Sequence, residues 1–302
     1  MNNPNDKRDG LIAAFLAYLM FGVLPVYFKV LADVGALEVL VHRIVWAVPF
    51  GALIIFVRRQ WPEVRRALAD GRVFGFLALA AVLIAGNWYV YIYAVQNDQI
   101  YQASLGYYIN PLLFTVVGVF FFGEKLRRFQ VAAVLLAAAG VLVLTFGGGQ
   151  FPAIALLLGT LFTIYGVIRK RVVVGGMPGL FVETLVLFPL SAAYLLWIMG
   201  SGVSAFASGE PSMVGLLLLA GPVTVLPLLC FALAARRLNL STVGMVQFLA
   251  PTLHFIIGLL YGEELTTAHV VCFSLIWLAV GLFSWDAWRA SRIEASGVGQ
   301  ES

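Results

Sequence analysis

Ten long apolar runs constrain the fold of this chain more than any other feature. Each has about twenty residues, the length that an α-helix needs to cross the hydrocarbon core of a bilayer. A soluble domain has no use for a chain that is 62% hydrophobic and 11% charged. The sequence therefore predicts an all-α polytopic membrane protein with ten transmembrane helices and the lipid bilayer as a partner. The ten segments are 11–32, 37–57, 73–95, 101–122, 127–146, 151–168, 178–200, 212–235, 241–261 and 267–288.

The basic residues predict how these helices are oriented. Seventeen of the nineteen lysines and arginines lie at the chain ends or in every second connection, and the exceptions are Lys29 and Arg43. Because cytoplasmic loops of membrane proteins are enriched in Lys and Arg, both termini are expected in the cytoplasm of a bacterium, with the spans in its inner membrane. The N-terminus is residues 1–10 and the tail 289–302. This distribution explains the net charge of +4 without nucleic acid as a partner.

Two halves of the chain carry the same pattern about 140 residues apart, which predicts five-helix repeats over 11–146 and 151–288. Pro111 corresponds to Pro251, and the pair Arg43 and Pro49 corresponds to Glu183 and Pro189. Gly-Glu-x-Leu turns follow at 123–126 and 262–265. Because each repeat has an odd number of helices, the second must enter the membrane inverted. Inverted repeats that meet around a midplane site are common in secondary transporters.

Three stretches of sequence resemble a known family. They are 38–46 (EVLVHRIVW), 87–88 (NW) and 103–111 (ASLGYYINP). Together they resemble the RarD-type, or chloramphenicol-sensitive protein, branch of the EamA family in the drug/metabolite transporter superfamily. The resemblance covers nearly the whole chain and implies a ten-helix transporter. It does not identify the substrate.

Ionisable residues inside the spans are costly to insert and are therefore functional candidates. Arg43 lies about six residues into the second segment, where it could bind the anionic group of a substrate, or could instead be structural and bind helix carbonyls or an acidic partner. Lys29 is a second substrate-binding candidate, with snorkelling to the interface as the alternative.

Three further ionisable residues are candidates in the spans. Glu38 and His42 share a helical face, so they could couple transport to protons or form a hydrogen-bonded pair that orients the helix of Arg43. Glu183 occupies the position inverted relative to Arg43. It is expected at a different depth from Arg43, where it would carry protons or contribute to an inner gate.

Aromatic and amide side chains on the third and fourth segments complete the predicted binding site, and the candidates from the second half are Tyr165, Gln247 and His254. Tyrosines and amides around one cation suit a partly polar organic solute, although some of these tyrosines could simply be interfacial. Pro111 and Pro251 are the predicted hinges. The members on the third and fourth segments are Asn87, Tyr91, Tyr107, Tyr108 and Asn110.

Together these features favour a secondary transporter of small amphipathic metabolites (amino-acid-like, aromatic or drug-like) that works by alternating access, with export favoured over uptake. The alternatives are a passive channel or accessory membrane subunit, or an intramembrane lipid-modifying enzyme that uses His42 and Glu38. No catalytic, metal-binding or nucleotide-binding motif supports an enzyme, and no cofactor is expected. The small-molecule substrate is an expected partner, and the protein itself is expected to be a monomer or a homodimer.

Overall fold

The computed structural model of the protein describes residues 4–122, 126–147, 151–235, 237–238, 242–243 and 246–297. Every regular element in this part of the chain is helical. Nine of its helices are long and apolar enough to cross a membrane, and a shorter apolar helix accompanies them. The helices are α1 (Pro4–Val30), α2 (Ala36–Val57), α3 (Trp61–Ala69), α4 (Gly71–Gln96), α5 (Ile100–Phe122), α6 (Arg128–Leu142), α7 (Ala153–Arg171), α8 (Gly176–Gly200), α9 (Pro211–Ala235), α10 (Leu249–Leu260) and α11 (Thr267–Gly297).

The ends of several helices differ from the predicted ones. Helix α1 begins at Pro4, α6 finishes in a π-helical turn over Val143–Gly147, and α11 continues to Gly297, into the predicted tail. Hydropathy alone misses such extensions, because polar residues continue a helix beyond the apolar core. The first Gly-Glu turn at residues 123–125, Gly244 of the corresponding helix and the last tail residues, 298–302, lie outside the described residues.

Helix α3 was absent from the sequence prediction because it is too short to span a membrane. It is amphipathic: Val64 and Ala67 are buried, whereas Arg65 and Arg66 are exposed. The Trp61 ring packs edge-on against Phe181 of α8, with ring centroids 5.6 Å apart. A short helix of this kind buries one face without needing a continuous apolar run.

The ninth predicted span, 241–261, is not one continuous helix in the structure. Residues 247 and 248 form a turn, and the regular helix α10 begins at Leu249. Pro251 has no N–H to donate to the Gln247 carbonyl four residues earlier, so the bond of a continuous helix cannot form there. The Ala250 N–H donates to that carbonyl instead, at 3.3 Å, which tightens the turn.

Equivalent helices of the two halves make equivalent contacts with the opposite half. Helix α1 packs on α9 and α10, and its counterpart α7 packs on α4 and α5. Helix α2 packs on α9 as α8 packs on α4, and the remaining major pairs, α2–α8, α5–α10 and α6–α11, each join a helix to its own counterpart. The largest buried apolar cluster lies where the halves meet, with members from α1, α2, α4, α5, α7, α8, α9 and α10.

Helices α5 and α7 approach so closely at Gly106 that this position gives a testable prediction. A Cβ there would lie 2.9 Å from the Ala155 carbonyl oxygen, which belongs to helix backbone and cannot move alone. Gly106→Ala should therefore lower the free energy of unfolding by about 1–3 kcal/mol. The matched control is Gly215→Ala on α9, where nothing lies within 4 Å of the new Cβ. SDS-induced unfolding of the purified protein checks both variants, and equal stability of the two would contradict the close approach.

Candidate functional site

Arg43 of α2 lies in an aromatic enclosure at the contact between the two halves. Its residue is only 4% exposed, and its guanidinium carbon lies 4.6 Å from the Trp88 ring centroid and 5.3 Å from that of Phe28. These distances are within the range at which an aromatic ring attracts a cation. The Arg43 Nε donates to Thr224 Oγ1 of α9 at 3.0 Å. This side chain therefore bridges helices from both halves.

The Arg43 guanidinium is not neutralised within the described part of the chain. None of the ion pairs among the described residues includes Arg43, and its Nη1 is buried without a hydrogen-bond partner. A buried cation without a paired anion is energetically unfavourable. This group can therefore bind an anionic or carbonyl oxygen.

A histidine from the second half completes this enclosure. The His254 Nε2 of α10 lies 3.0 Å from both the Tyr91 hydroxyl and the Phe21 carbonyl. Because a carbonyl only accepts, Nε2 is assigned the hydrogen in a neutral ring, which leaves the buried Nδ1 as an acceptor without a partner. The His254 ring also lies against Tyr107, with ring centroids 5.7 Å apart. The enclosure thus offers an unpaired donor and an unpaired acceptor.

Asn87 and Tyr107 join the enclosure to the second half through α7. The buried Asn87 side chain donates from Nδ2 to the Leu158 carbonyl at 3.0 Å. The Tyr107 hydroxyl lies 3.5 Å from Asn87 Oδ1, and Tyr107 packs edge-on against Tyr91 at 5.7 Å. The structure therefore brings Asn87, Tyr91 and Tyr107 together with Arg43, and the phenol groups of Tyr91 and Tyr107 are within electrostatic range of the cation.

Other predicted site residues lie elsewhere. The Tyr108 hydroxyl pairs with Thr252 Oγ1 at 2.7 Å and its ring packs on Phe248, because adjacent residues of a helix face different directions. Asn110 faces α7, where its Oδ1 would lie 3.3 Å from a Cβ on Gly159, and this oxygen is buried without a partner. Gln247 is half-buried in the turn before α10.

The Glu38 and His42 side chains do not form the hydrogen-bonded pair that the sequence favoured. His42 Nε2 and Glu38 Oε1 are 4.0 Å apart, which is too long for a hydrogen bond. Each has another partner: His42 Nδ1 accepts from Trp46 Nε1 at 3.0 Å, and Glu38 Oε1 accepts from Ser204 Oγ at 2.7 Å. Glu38 thus ties α2 to the connection between α8 and α9, a contact that local sequence cannot reveal.

Glu183 is paired at the arginine-rich end of the bundle, the end that holds residues 58–72 and 169–175. Glu183 is fully buried, and its Oε1 lies 3.3 Å from Arg169 Nε while its Oε2 accepts from the Tyr165 hydroxyl at 3.2 Å. The Arg169 Nη2 donates to the Gly175 carbonyl at 3.3 Å, and the Gly175 N–H donates to Glu63 of α3 at 2.6 Å. These contacts tie α3, α7 and α8 together.

Lys29 is paired at the opposite end, which holds residues 31–35 and 97–99 and the second Gly-Glu turn. Its ammonium forms an ion pair with Asp98, and Nζ lies 5.7 Å from the Tyr261 ring centroid. The second Gly-Glu turn caps α5 here: Glu263 accepts from the Ile100 N–H at 2.6 Å and from the Tyr101 N–H at 2.9 Å. Carboxylates at helix N-termini satisfy amides that lack intrahelical partners.

Replacing Glu263 tests this cap. Burial raises the pKa of its carboxyl above the ordinary value of 4.5, although the bonds from Tyr101 and Ile100 and the charge of Lys29 oppose this. The folded protein therefore favours the protonated Glu263 carboxyl. The stability that this preference contributes is complete below pH 4.5, and it is lost as the pH rises through the raised pKa. Glu263→Gln should therefore lower the free energy of unfolding by about 1 kcal/mol at acid pH, and by less at neutral pH. If the difference in free energy of unfolding between wild type and Glu263→Gln grew with pH, the raised pKa of Glu263 would be contradicted.

The predicted hinge prolines occupy different environments. Pro111 lies inside the continuous helix α5, and its carbonyl accepts from Thr115 Oγ1 at 2.9 Å. Pro251 lies in the first turn of α10, and its carbonyl accepts from Ser104 Oγ of α5 at 2.8 Å. Of these two pseudo-equivalent helices only the second is interrupted, so the break beside Pro251 is one point where the described chain departs from the symmetry of its halves.

Some contact residues, both in the enclosure and at the arginine-rich end, were missing from the sequence prediction. Thr224 and Phe28 give no signal in the sequence, because an apolar span contains many such residues and only packing selects these two. Arg169 could have been found, since it follows Lys29 by 140 positions and precedes Glu183 by the same 14 positions that separate Lys29 from Arg43.

Comparison with known proteins agrees with this architecture. The family model described as EamA-like transporter family matches residues 8–146. A Vibrio cholerae protein named "Uncharacterized transporter" is 42% identical over 95% of this chain and 96% of its own length, and Escherichia coli "Protein RarD" is 42% identical over 94% and 97%. A Pseudomonas aeruginosa "Chloramphenicol-sensitive protein RarD" is 31% identical over 95% and 97%. A solved crystal structure, 18% identical, shares the fold with a TM-score of 0.59 over 91% of this chain and 97% of its own.

An all-helical bundle of membrane-length spans, related over nearly its whole length to proteins named as transporters, is an integral membrane transporter. The chain belongs to the EamA-like transporter family, and within it to the RarD branch of the drug/metabolite transporter superfamily.

Proposed function

We propose that this protein is a secondary carrier that moves small amphipathic solutes across a bacterial inner membrane by alternating access. The solutes are amino-acid-like, aromatic or drug-like, and export is favoured over uptake. The arginine-rich end faces the cytoplasm with both termini, because basic residues concentrate on that side of inner-membrane proteins.

The observation that carries this proposal is the unpaired Nη1 of the buried Arg43. An anionic group of the solute binds there, and Trp88, Phe28, Tyr91 and Tyr107 surround its apolar part. The unpaired Nδ1 of His254 accepts a hydrogen bond from a donor of the solute. A guanidinium can bind a carboxylate through two parallel hydrogen bonds. It is also weakly hydrated, so little hydration is lost when the carboxylate binds.

Access alternates between two sets of contacts at opposite ends. The cytoplasmic set is the Arg169–Glu183 pair with the Glu63–Gly175 contact. The external set is the Lys29–Asp98 pair with the Glu263 cap on α5. Each set joins different helices, so each can open while the other stays closed. Pro111 of α5 and Pro251 of α10 absorb the bending, and the Pro251 carbonyl is joined to Ser104 of α5.

Counterflow in proteoliposomes tests the proposal. Vesicles loaded with unlabelled solute are diluted into trace labelled solute, with labelled amino acids and small aromatic acids as probes. A carrier gives transient, saturable accumulation of label, because the same site must return loaded, whereas a passive channel gives unsaturable equilibration without accumulation. The absence of counterflow for every probe would contradict the proposed carrier for these solutes. Gly215→Ala on α9 is the control variant, because its new Cβ has nothing within 4 Å and no charge is changed.

A further inference from the structure

Corresponding positions in the two halves carry charges of different kinds. Lys29 and Arg43 are 14 residues apart, and so are their counterparts Arg169 and Glu183, which follow at an offset of 140. The prolines Pro49 and Pro189 share that offset. The first half thus has two cations where the second half has a cation and an anion.

In the second half these two positions are in contact. Arg169 Nε lies 3.3 Å from Glu183 Oε1, and both side chains are largely buried. Gly179, one turn before Glu183, makes room for the contact, because a Cβ there would lie 2.2 Å from Arg169 Nη1. A residue at the end of the first helix of a half can therefore reach a residue two turns into the second helix.

In the first half the same two positions have separate partners. Lys29 pairs with Asp98, whose side chain is 72% exposed, and Arg43 donates to Thr224 while its Nη1 is unpaired. The end of α1 nevertheless lies against Arg43: Phe28, the residue before Lys29, has its ring centroid 5.3 Å from the guanidinium carbon. The Asp98 carboxylate of this pair is solvated, whereas the Lys29 side chain is 11% exposed, so water can replace Lys29 at Asp98 when Lys29 takes another partner.

We infer that Lys29 and Arg43 together form a two-cation receptor in which the oxyanion group of the solute takes the place that the Glu183 carboxylate holds in the second half. Lys29 leaves Asp98 when the solute binds, and the solute thereby joins α1 to α2 as the Arg169–Glu183 pair joins α7 to α8. Two cations attract an anion and repel an ammonium, so the receptor selects solutes of net negative charge over zwitterions and cations. This inference rests on the proposed function and specifies the charge class of its substrate.

A double-mutant cycle tests whether the two positions meet. The cycle is made in an Asp98→Asn background, which removes the carboxylate beside residue 29. There Lys29→Glu places a carboxylate opposite Arg43 and gives the first half an ion pair like that of the second, with the two charges exchanged. The variant should raise the thermal midpoint of the purified protein relative to Lys29→Gln, and Arg43→Gln should remove that gain. The inference is overturned if Lys29→Glu gives no gain over Lys29→Gln, or if the gain persists with Arg43→Gln.

Three probes of similar shape test the charge class: phenylacetate, phenylalanine and phenethylamine, which are an anion, a zwitterion and a cation. Phenylacetate should bind the full-length protein in detergent about tenfold more tightly than either of the others, and Lys29→Gln should remove most of that preference. Equal or weaker binding of phenylacetate, or no binding, overturns the receptor. Saturable, Arg43-dependent counterflow of phenylalanine without any preference for phenylacetate would retain the proposed carrier while it overturned the two-cation receptor.

Discussion

Arg43→Met is expected to abolish saturable transport without lowering the stability of the protein. The substitution removes a buried cation that has no counter-ion among the described residues, and a methionine of similar length fills the space between Trp88 and Phe28. Replacing buried charge by a well-packed apolar residue is often neutral or stabilising. Loss of the group that binds the solute's anion, by contrast, should reduce transport efficiency by about 100-fold or more, which corresponds to about 3–5 kcal/mol of binding energy.

Measuring both quantities separates a binding role for Arg43 from a structural one. Initial rates of counterflow give transport, and SDS-induced unfolding gives stability. The Thr224→Val variant is the matched control, since it removes the Nε contact but leaves the charge, and it should reduce transport far less. A structural arginine would give the opposite result: Arg43→Met would unfold more easily and would keep its transport rate in proportion to the folded fraction.

Removing either member of the Arg169–Glu183 pair is expected to destabilise the arginine-rich end strongly. A buried charge that loses its partner costs about 3–5 kcal/mol, whereas replacing both members restores most of the loss. Glu183→Leu and Arg169→Leu should therefore each lower the free energy of unfolding by that order. The double variant should lie much closer to wild type, which gives a large coupling energy between the two positions.

The same pair should control access from the cytoplasmic side. Gly179→Ala is the sharpest test, because its Cβ would collide with Arg169 Nη1 without changing any charge. A cysteine placed at Thr163, a buried residue of α7, should react with a membrane-impermeant reagent faster in the Gly179→Ala background. As the control, Gly75→Ala on α4 adds a Cβ with nothing within 4 Å and should leave the reaction rate unchanged. If Thr163→Cys reacted equally fast in the Gly179→Ala and Gly75→Ala backgrounds, the Arg169–Glu183 pair would not act as a gate.

The membrane architecture was predictable because its cause is local. Any run of about twenty apolar residues buries its backbone polar groups best as a helix in a bilayer, so most spans were predicted within a few residues, and α1, α10 and α11 differ by more. The departures have specific causes. Helix α3 is too short and amphipathic for a hydropathy reading. The turn at residues 247–248 lies beside Pro251, whereas the equivalent Pro111 lies within the continuous helix α5, so a proline in the sequence does not by itself locate such a break.

The candidate site was predictable only in part. Arg43 stood out because a charge in an apolar span is costly, and Asn87, Tyr91 and Tyr107 lie around it. The same reasoning grouped Tyr108 and Asn110 with them. Tyr108 is turned by about 100° from Tyr107 because it is the next residue of the helix, and Asn110 faces Gly159 of α7. Thus Tyr108 packs on Phe248, on the side away from Tyr107.

By itself the sequence determined the order and approximate position of the apolar spans, the clustering of basic residues in alternate connections and the spacing of charged positions in the two halves. These features follow from the composition of contiguous segments. Only the tertiary structure decided which charges have partners. Arg169 meets Glu183 because Gly179 leaves room for it, Glu38 turns from His42 to Ser204, and Arg43 keeps a free Nη1. Ion pairs form over a few ångströms between helices far apart in the chain, and no contiguous stretch of sequence encodes those distances.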